Sequence, residues 1–401
     1  MASGKHSKSA HVFHSKEYYP SCARISRAAF CHNLARAREY AGDAEVMAIL
    51  KADAYGHGAE EIARWAQAEG IRWFGIAQLG EAMALRRKIG EGAHILSLMA
   101  EPDAPISEAL ELSIDLTVSS EELLDRISRA SAECGMAARV HIEVDTGMAR
   151  GGVSIHDFGD FVRNLADYEE SGLIEVIGLW SHLACADEPD SLVTAEQIKL
   201  FEQARCIMSS AGIHPEFVHL AASAGMMWHP QTRYTMVRPG IMLYGLSPNP
   251  QVATAAELDL QPVMRLEATV VSVRDVPQDT GVSYGHTAHT SAPAHLATIP
   301  LGYADGIPRA ASNCAYVQFN GQLRPLIGRV CMDQFVIDAP EARPGDTVTL
   351  FGAEADSLSA DDWGKYAGTI GHEIVTKIGV RVPREYCDDE YCNDEYCGNE
   401  E

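Results

Sequence analysis

The chain has 401 residues, 46% of them hydrophobic, with 56 acidic against 32 basic side chains and a formal net charge of −24. That length and apolar content suit a globular protein of two domains with a real core, and exclude a fibrous or disordered chain. Nucleic-acid binding needs clustered Lys and Arg, and a membrane span needs a long apolar run; neither pattern is present, so neither partner is expected.

Residues 1–20 are polar and carry His and Lys, with no apolar core ahead of a small-residue cleavage site. They read as a flexible N-terminal segment rather than a signal peptide, and the cytoplasm is the expected location. From residue 46 onward short β-type runs alternate with amphipathic stretches. Strands are expected at 46–50, 73–77, 94–98, 114–118, 139–144, 174–181, 216–221 and 235–243. Helical periodicity marks 59–68, 120–134, 157–170 and 194–211, the second opened by a capping box of Ser119 and Glu122. Eight strands alternating with helices predict an α/β fold, an N-terminal (β/α)8 TIM barrel over residues 21–258.

After about residue 258 β-branched alternation replaces the helical period. A strand is expected at 265–276, a hairpin across Asn320-Gly321 with a type I′ turn, and another strand at 347–351. A mostly β C-terminal domain is therefore placed at 259–386, with the boundary where Pro248, Pro250 and Pro262 cluster. Seven of the ten cysteines are scattered singly without zinc or redox spacing, so no metal site is expected among them. Residues 385–401 repeat Glu-Tyr-Cys three times, and the acidic tail, 387–401, reads as a solvated, flexible extension. Soft-metal binding or cross-linking by Cys387, Cys392 and Cys397 is the secondary reading there.

Lys51 comes directly after an apolar run, with Tyr55 four residues on and Gly56 and Gly58 beyond. At the C-terminal end of a barrel strand it opens into the face where such barrels carry chemistry, and a partly desolvated amine there can form a Schiff base. A surface lysine in a βα loop has the same spacing. Ser223 precedes an expected helix start, where free N–H groups favour an anion, though a plain N-cap looks alike. Arg238, before Pro239, and His182, at a strand end, read equally as a rim salt-bridge residue and a structural hydrogen-bonder.

Lys51-Ala-Asp-Ala-Tyr55-Gly-His-Gly58 closely resembles the pyridoxal-phosphate lysine motif of the alanine racemase family, and the resemblance runs in the family's order from about residue 21 to 384. It implies that Lys51 binds pyridoxal 5'-phosphate, and that Tyr55, Ser223 and the backbone at Gly240 and Ile241 hold its phosphate. Arg238 then faces the pyridine nitrogen and keeps that nitrogen largely unprotonated. Gly281-Val-Ser-Tyr284-Gly285 matches the motif of the second catalytic base, supplied across a homodimer with shared active sites. His182 is implied to link Tyr284 with Arg238 and to border the cofactor. Arg150 and the Met332 backbone would hold the substrate carboxylate, while Asp187, Tyr303, Arg309 and Arg329 would line the access corridor.

The resemblance thus implies a two-base racemase interconverting L- and D-alanine, supplying D-alanine for peptidoglycan. A serine or broader-specificity racemase on the same scaffold is the alternative. A noncatalytic pyridoxal-phosphate barrel protein is a third reading, disfavoured because such proteins lack the second domain. The chain departs from the family pattern twice. Glu143 stands where the family commonly has a carboxylated lysine orienting the arginine that matches Arg150, and is shorter, so that a bridging water or anion, or a shifted Arg150, is expected. His372 stands where many members have a phosphate-contacting tyrosine, which loosens the expectation of strict alanine specificity.

Overall fold

The computed structural model describes residues 19–352 and 358–388. Expectations for residues 1–18 and for most of the acidic tail, Cys392 and Cys397 included, lie outside them. The chain divides into two compact units, one of Cys31–Leu260, the other of the residues up to Phe30 together with those from Gln261 onward.

The first unit is the expected barrel. Its parallel strands are Glu45–Ile49, Trp73–Ile76, His94–Ser97, Ile114–Val118, Ala138–Asp145, Ile174–Trp180, Phe217–His219 and Met236–Val237. Each pairs with the next as far as the seventh, and the eighth pairs with the first through Val237 and Val46. The seam between the seventh and eighth is held by an Ala222–Arg238 bridge and by the Thr235 N–H on the Val218 carbonyl. Strands buried on both faces read as near-continuous apolar runs, which is why 46–50 and 73–76 were legible as barrel strands.

The helices keep to the expected periodicity. Ala59–Ala68 buries Ile62, Ala63, Trp65 and Ala66, and sets Glu60 and Glu61 at its positive end. Glu121–Cys134 begins one residue later than expected: Ser120, not Ser119, is the cap, because its extended backbone lets its hydroxyl accept the Leu123 N–H at 3.2 Å. The eighth strand is two residues long rather than the expected 235–243. Pro239 has no N–H to continue a ladder, and the chain turns into a 3-10 segment, Ile241–Tyr244.

The second unit is mostly β, as expected. Its main sheet runs in the order Gln322–Pro325, Tyr316–Phe319, Thr347–Phe351, Met264–Thr269, Ser21–Ser26, Arg384–Cys387. Residues 21–26, expected with the barrel, thus belong here. They lie antiparallel to Met264–Thr269 and parallel to Arg384–Cys387, with Arg24 paired to Glu267 at 2.8 Å. The run expected as one strand at 265–276 is two, Met264–Thr269 and Ser272–Val276, in different sheets. At the break the Val270 N–H bonds the Asp346 carbonyl and the Val271 N–H the Thr298 carbonyl, so successive residues serve opposite neighbours. The Asn320-Gly321 turn has φ of 49° and 71°, the positive pair that a type I′ turn demands.

Candidate active site

The first barrel strand ends at Ile49, and the turn beyond it sets the whole site. Ala52, Asp53, Ala54 and Tyr55 all adopt φ near 54°, a single turn of left-handed helix built without glycine. Left-handed backbone costs L-residues roughly 1–2 kcal/mol each, so the turn persists because its surroundings dictate it. Asp53 accepts the Ala59 N–H at 2.8 Å, and its own N–H reaches Glu81 at 3.3 Å. The His57 imidazole caps the Ala54 carbonyl at 2.9 Å. Tyr244 packs its ring 4.8 Å from that of Tyr55, and its hydroxyl donates to the Ile49 carbonyl at 2.8 Å. The turn swings Tyr55 inward while Lys51 stays at the strand end, facing the same mouth.

Burial lowers the pKa of Lys51, with Arg150 and Arg238 reinforcing the effect and Glu81 opposing it. The amine is thus eased toward its unprotonated, nucleophilic form. Tyr55 meets Gly240 closely: a Cβ on that glycine would lie 2.6 Å from the tyrosine oxygen. Ser223 lies beside them, its Oγ accepting the Gly240 N–H at 3.0 Å and the Met242 N–H at 3.5 Å. The Ile241 N–H, in a fully buried segment, meets no protein acceptor among the described residues. Burial pushes the Tyr55 phenol well up, so it stays a donor. The Tyr55 and Ser223 hydroxyls and the Ile241 N–H are donors of the kind that suit a phosphate group.

Arg238 is held from behind. Its Nη1 donates to the His219 carbonyl at 2.6 Å and meets His219 Nδ1 at 3.0 Å; its Nη2 reaches the Ser181 carbonyl at 2.7 Å, the Leu220 carbonyl at 3.1 Å and His182 Nδ1 at 3.3 Å. Only Nε has no protein acceptor among the described residues. Burial lowers the guanidinium pKa to about 9, against the help of Glu143, and leaves it charged at neutral pH. The expected link between His182 and Arg238 is therefore present. Burial drops His182 to about 3, Arg238 adding to the effect, so the ring is neutral and its Nδ1 can accept. Gln197, which the sequence did not single out, bonds the His182 carbonyl and the Ala184 N–H at 3.0 and 2.8 Å and so fixes that loop.

Glu143 lies two residues before the end of the fifth strand, its carboxylate against Gly151, where a Cβ would come within 3.1 Å of Oε2. Burial raises its pKa to about 7 despite the nearby charges of Arg150 and Arg238. Arg150 itself is exposed, and no ion pair joins it to Glu143 among the described residues. Asp187 is half-buried in the loop that carries His182 and takes Asn249 Nδ2 on its carbonyl at 3.0 Å.

The remaining candidates sit on the β unit, and four of them come together there. Tyr284, in a turn with Ser283 and Gly285 at positive φ, is 73% exposed. The Ser283 hydroxyl donates to the Arg329 carbonyl at 2.7 Å, and the Arg329 guanidinium lies against Gly285. The Tyr303 N–H bonds the Cys331 carbonyl at 3.0 Å and the Ala304 N–H the Met332 carbonyl at 3.0 Å. Tyr284, Tyr303, Arg329 and Met332 therefore form one patch. Arg309 is exposed on the neighbouring Arg309–Ala311 turn, which Ser312 ties to Val330. His372 lies half-buried on the short helix Gly371–Thr376. The sequence missed Tyr244 and His219 as parts of the site, because each sits in an apolar run and looks like core.

Comparison with known proteins gives the same outline. Residues 25–248 match the profile "Alanine racemase, N-terminal domain" and residues 263–386 that of "Alanine racemase, C-terminal domain". The alanine racemase of Beutenbergia cavernae is 47% identical over 370 residues, covering 91% of this chain and 97% of its own. A solved alanine racemase of Streptomyces coelicolor superposes with a TM-score of 0.90 at 42% identity, covering 92% of this chain and 98% of its own. One from Bartonella henselae, solved with covalently bound pyridoxal phosphate, gives 0.83 at 29% identity, over 92% of this chain and 99% of its own. Fold, site and relatives together define an amino-acid racemase, an isomerase. The chain belongs to the alanine racemase family.

Proposed function

We propose that the chain interconverts L- and D-alanine by two-base proton exchange with the help of pyridoxal 5'-phosphate, acting in the cytoplasm to supply D-alanine for peptidoglycan. The observation that carries the reading is the left-handed turn that aims Lys51 and Tyr55 into one mouth beside Ser223, Gly240 and Ile241, with the Nε of Arg238 left over. Lys51 would bind the cofactor and exchange the α-proton on one face of the substrate. When bound, pyridoxal phosphate supplies an electron sink that acidifies the α-carbon of an attached amino acid. Arg238 keeps its own proton, so its Nε would donate to the ring nitrogen without protonating it, which restrains the sink and favours return of a proton to the same carbon.

The second base would be Tyr284 of a partner subunit. Its exposure, shared with Met332 and Tyr303, suits a patch made to be covered by another subunit's barrel, and a homodimer would then hold two shared sites. In that arrangement Arg150 and the Met332 backbone would hold the substrate carboxylate, while Asp187, Tyr303, Arg309 and Arg329 line the approach. Retention of the C-terminal domain speaks against a noncatalytic barrel protein.

The test measures α-deuterium wash-in and loss of optical rotation for L-alanine and L-serine in the native enzyme, Lys51→Ala and Tyr284→Phe. Both variants should lose racemisation, and only Lys51→Ala should lose the visible absorption of lysine-bound cofactor. Native-level racemisation in either variant would remove the two-base scheme, and L-serine turnover matching L-alanine would favour the broader racemase that His372 suggests.

A further inference from the structure

Behind Arg238 the barrel interior holds a column of polar side chains. His219 Nδ1 lies 3.0 Å from Arg238 Nη1, and His219 Nε2 lies 2.9 Å from His141 Nδ1. His141 Nε2, which has no hydrogen-bond acceptor among the described residues, faces Asp115 Oδ2 at 3.8 Å. Asp115 in turn accepts from Arg139 Nε at 3.0 Å and Nη2 at 3.2 Å. Both imidazoles are fully buried and Asp115 nearly so. Asp115 and Arg139 sit at the second positions of their strands, His141 two residues further on, and His219 at the last position of its strand. The column therefore runs from the lower end of the barrel to its mouth.

The barrel has made room for it. His141 faces Gly178 on the neighbouring strand, where any Cβ would overlap the imidazole ring. The Trp180 ring stacks over His219 and the edge of Trp73 meets His141, so neither ring is free to turn. Well-packed apolar residues of similar volume commonly stabilise a core as well as a buried ionic group does, so a column of this kind calls for a role.

Counting protons shows one. Burial holds both imidazoles neutral, so each has one N–H and one acceptor nitrogen. Burial opposes ionisation of Asp115, but His141 and Arg139 outweigh it, and the carboxylate stays charged. A carboxylate facing His141 Nε2 draws the proton to that atom and leaves Nδ1 to accept. His219 must then carry its proton on Nε2, and its own Nδ1 is left to accept from Arg238. With the opposite tautomer, two N–H groups would confront each other 3.0 Å apart and push the guanidinium aside.

We propose that Asp115 and His141 are positioning residues for the reaction: they hold His219 as its Nε2–H tautomer, which seats Arg238 so that only its Nε is presented to the cofactor ring. This rests on the reading of Arg238 as the group opposite the ring nitrogen. A displaced Arg238 leaves that nitrogen to be protonated, which favours transamination. In that reaction alanine's amino group and its α-hydrogen would both end on the cofactor carbon that Lys51 had held, Lys51 would regain its free amine, and water would supply the carbonyl oxygen of the pyruvate released.

Two measurements test the idea. In native holoenzyme labelled with ring-15N histidine, signals assigned by single-histidine replacement should show His141 and His219 as neutral Nε2–H forms from pH 6 to 9. An Nδ1–H form of either ring overturns the proposal without any need for the variant to fold. In Asp115→Asn, pyruvate formed per racemisation should rise by about tenfold, the weight of one misdirected hydrogen bond. Gly178→Ala, which crowds His141 but alters no ionisable group, should raise it in the same direction. An unchanged ratio in both variants overturns the proposal. The same assay on Arg238→Gln separates the two failures, since an unchanged ratio there removes the reading of Arg238 itself.

Discussion

The barrel mouth and the patch on the β unit carry roles in the same proposed reaction but are built by opposite means. At the mouth Arg238 is 3% exposed and Ser223 4%, and each is fixed by two or more hydrogen bonds to neighbouring segments of the chain. On the patch Tyr284 is 73% exposed and Met332 52%, and the backbone rather than the side chains is tied down. A desolvated site shifts pKa values and orients dipoles by itself, whereas an exposed one acquires those properties only when something covers it. The mouth is therefore organised in advance, whereas the patch would gain such organisation only in the proposed dimer.

The largest expected effect lies at the mouth. Lys51→Ala should lower racemisation by on the order of 10⁴-fold or more and abolish the visible cofactor band, since in the proposed reaction one side chain would serve as attachment and base. On the patch, Tyr284→Phe should cost about 10²–10⁴-fold in kcat for racemisation in both directions while shifting unfolding by less than about 0.5 kcal/mol. A large loss of stability there would mean that the patch, too, is built in advance. Gly240→Ala should weaken pyridoxal phosphate binding about ten- to a hundredfold, because the new methyl group would drive Tyr55 from its place. Equilibrium titration of the cofactor reads this directly, and an unaltered affinity would break the idea of a prebuilt cradle.

Glu143 gives the smallest effect, and its sign is set by the raised pKa. The folded state holds a proton on this carboxyl up to about pH 7, whereas the unfolded chain releases it near 4.5. Stability is therefore fully present at the lower value and declines as pH rises between the two, by up to about 3 kcal/mol. Glu143→Gln should flatten that decline, read as urea midpoints at pH 5 and 7.5. Since Glu143 supplies a carboxyl of its own at this position, removing CO₂ from the buffer should leave activity unchanged. Loss on CO₂ removal with recovery on adding bicarbonate would assign the site to another anion.

The contrast also explains what the sequence could reveal. Strand positions around Lys51, the Asn320-Gly321 turn and the change of texture near residue 258 rest on local periodicity and turn chemistry, and were legible. The left-handed turn was not, because Ala52, Asp53 and Ala54 carry no preference for positive φ; tertiary contacts from Tyr244 and His57 impose it. His141, His219 and Asp115 were hidden for the same reason, since a buried polar residue inside an apolar strand gains meaning only from the strands beside it. The division of 265–276 into two strands depends on partners at 298 and 346 that no local window contains.

The strand Ser21–Ser26 leaves the ribosome well before both of its neighbours in the sheet, Met264–Thr269 and then Arg384–Cys387. At synthesis rates of about 5–20 residues per second, its last partner arrives some tens of seconds after it does. Through that interval the barrel sequence can be completed and folded while a strand with two open edges remains exposed, the kind of segment that pairs with the wrong chain. Newly made protein should therefore be most vulnerable to aggregation, and most dependent on chaperones, before the last strand emerges.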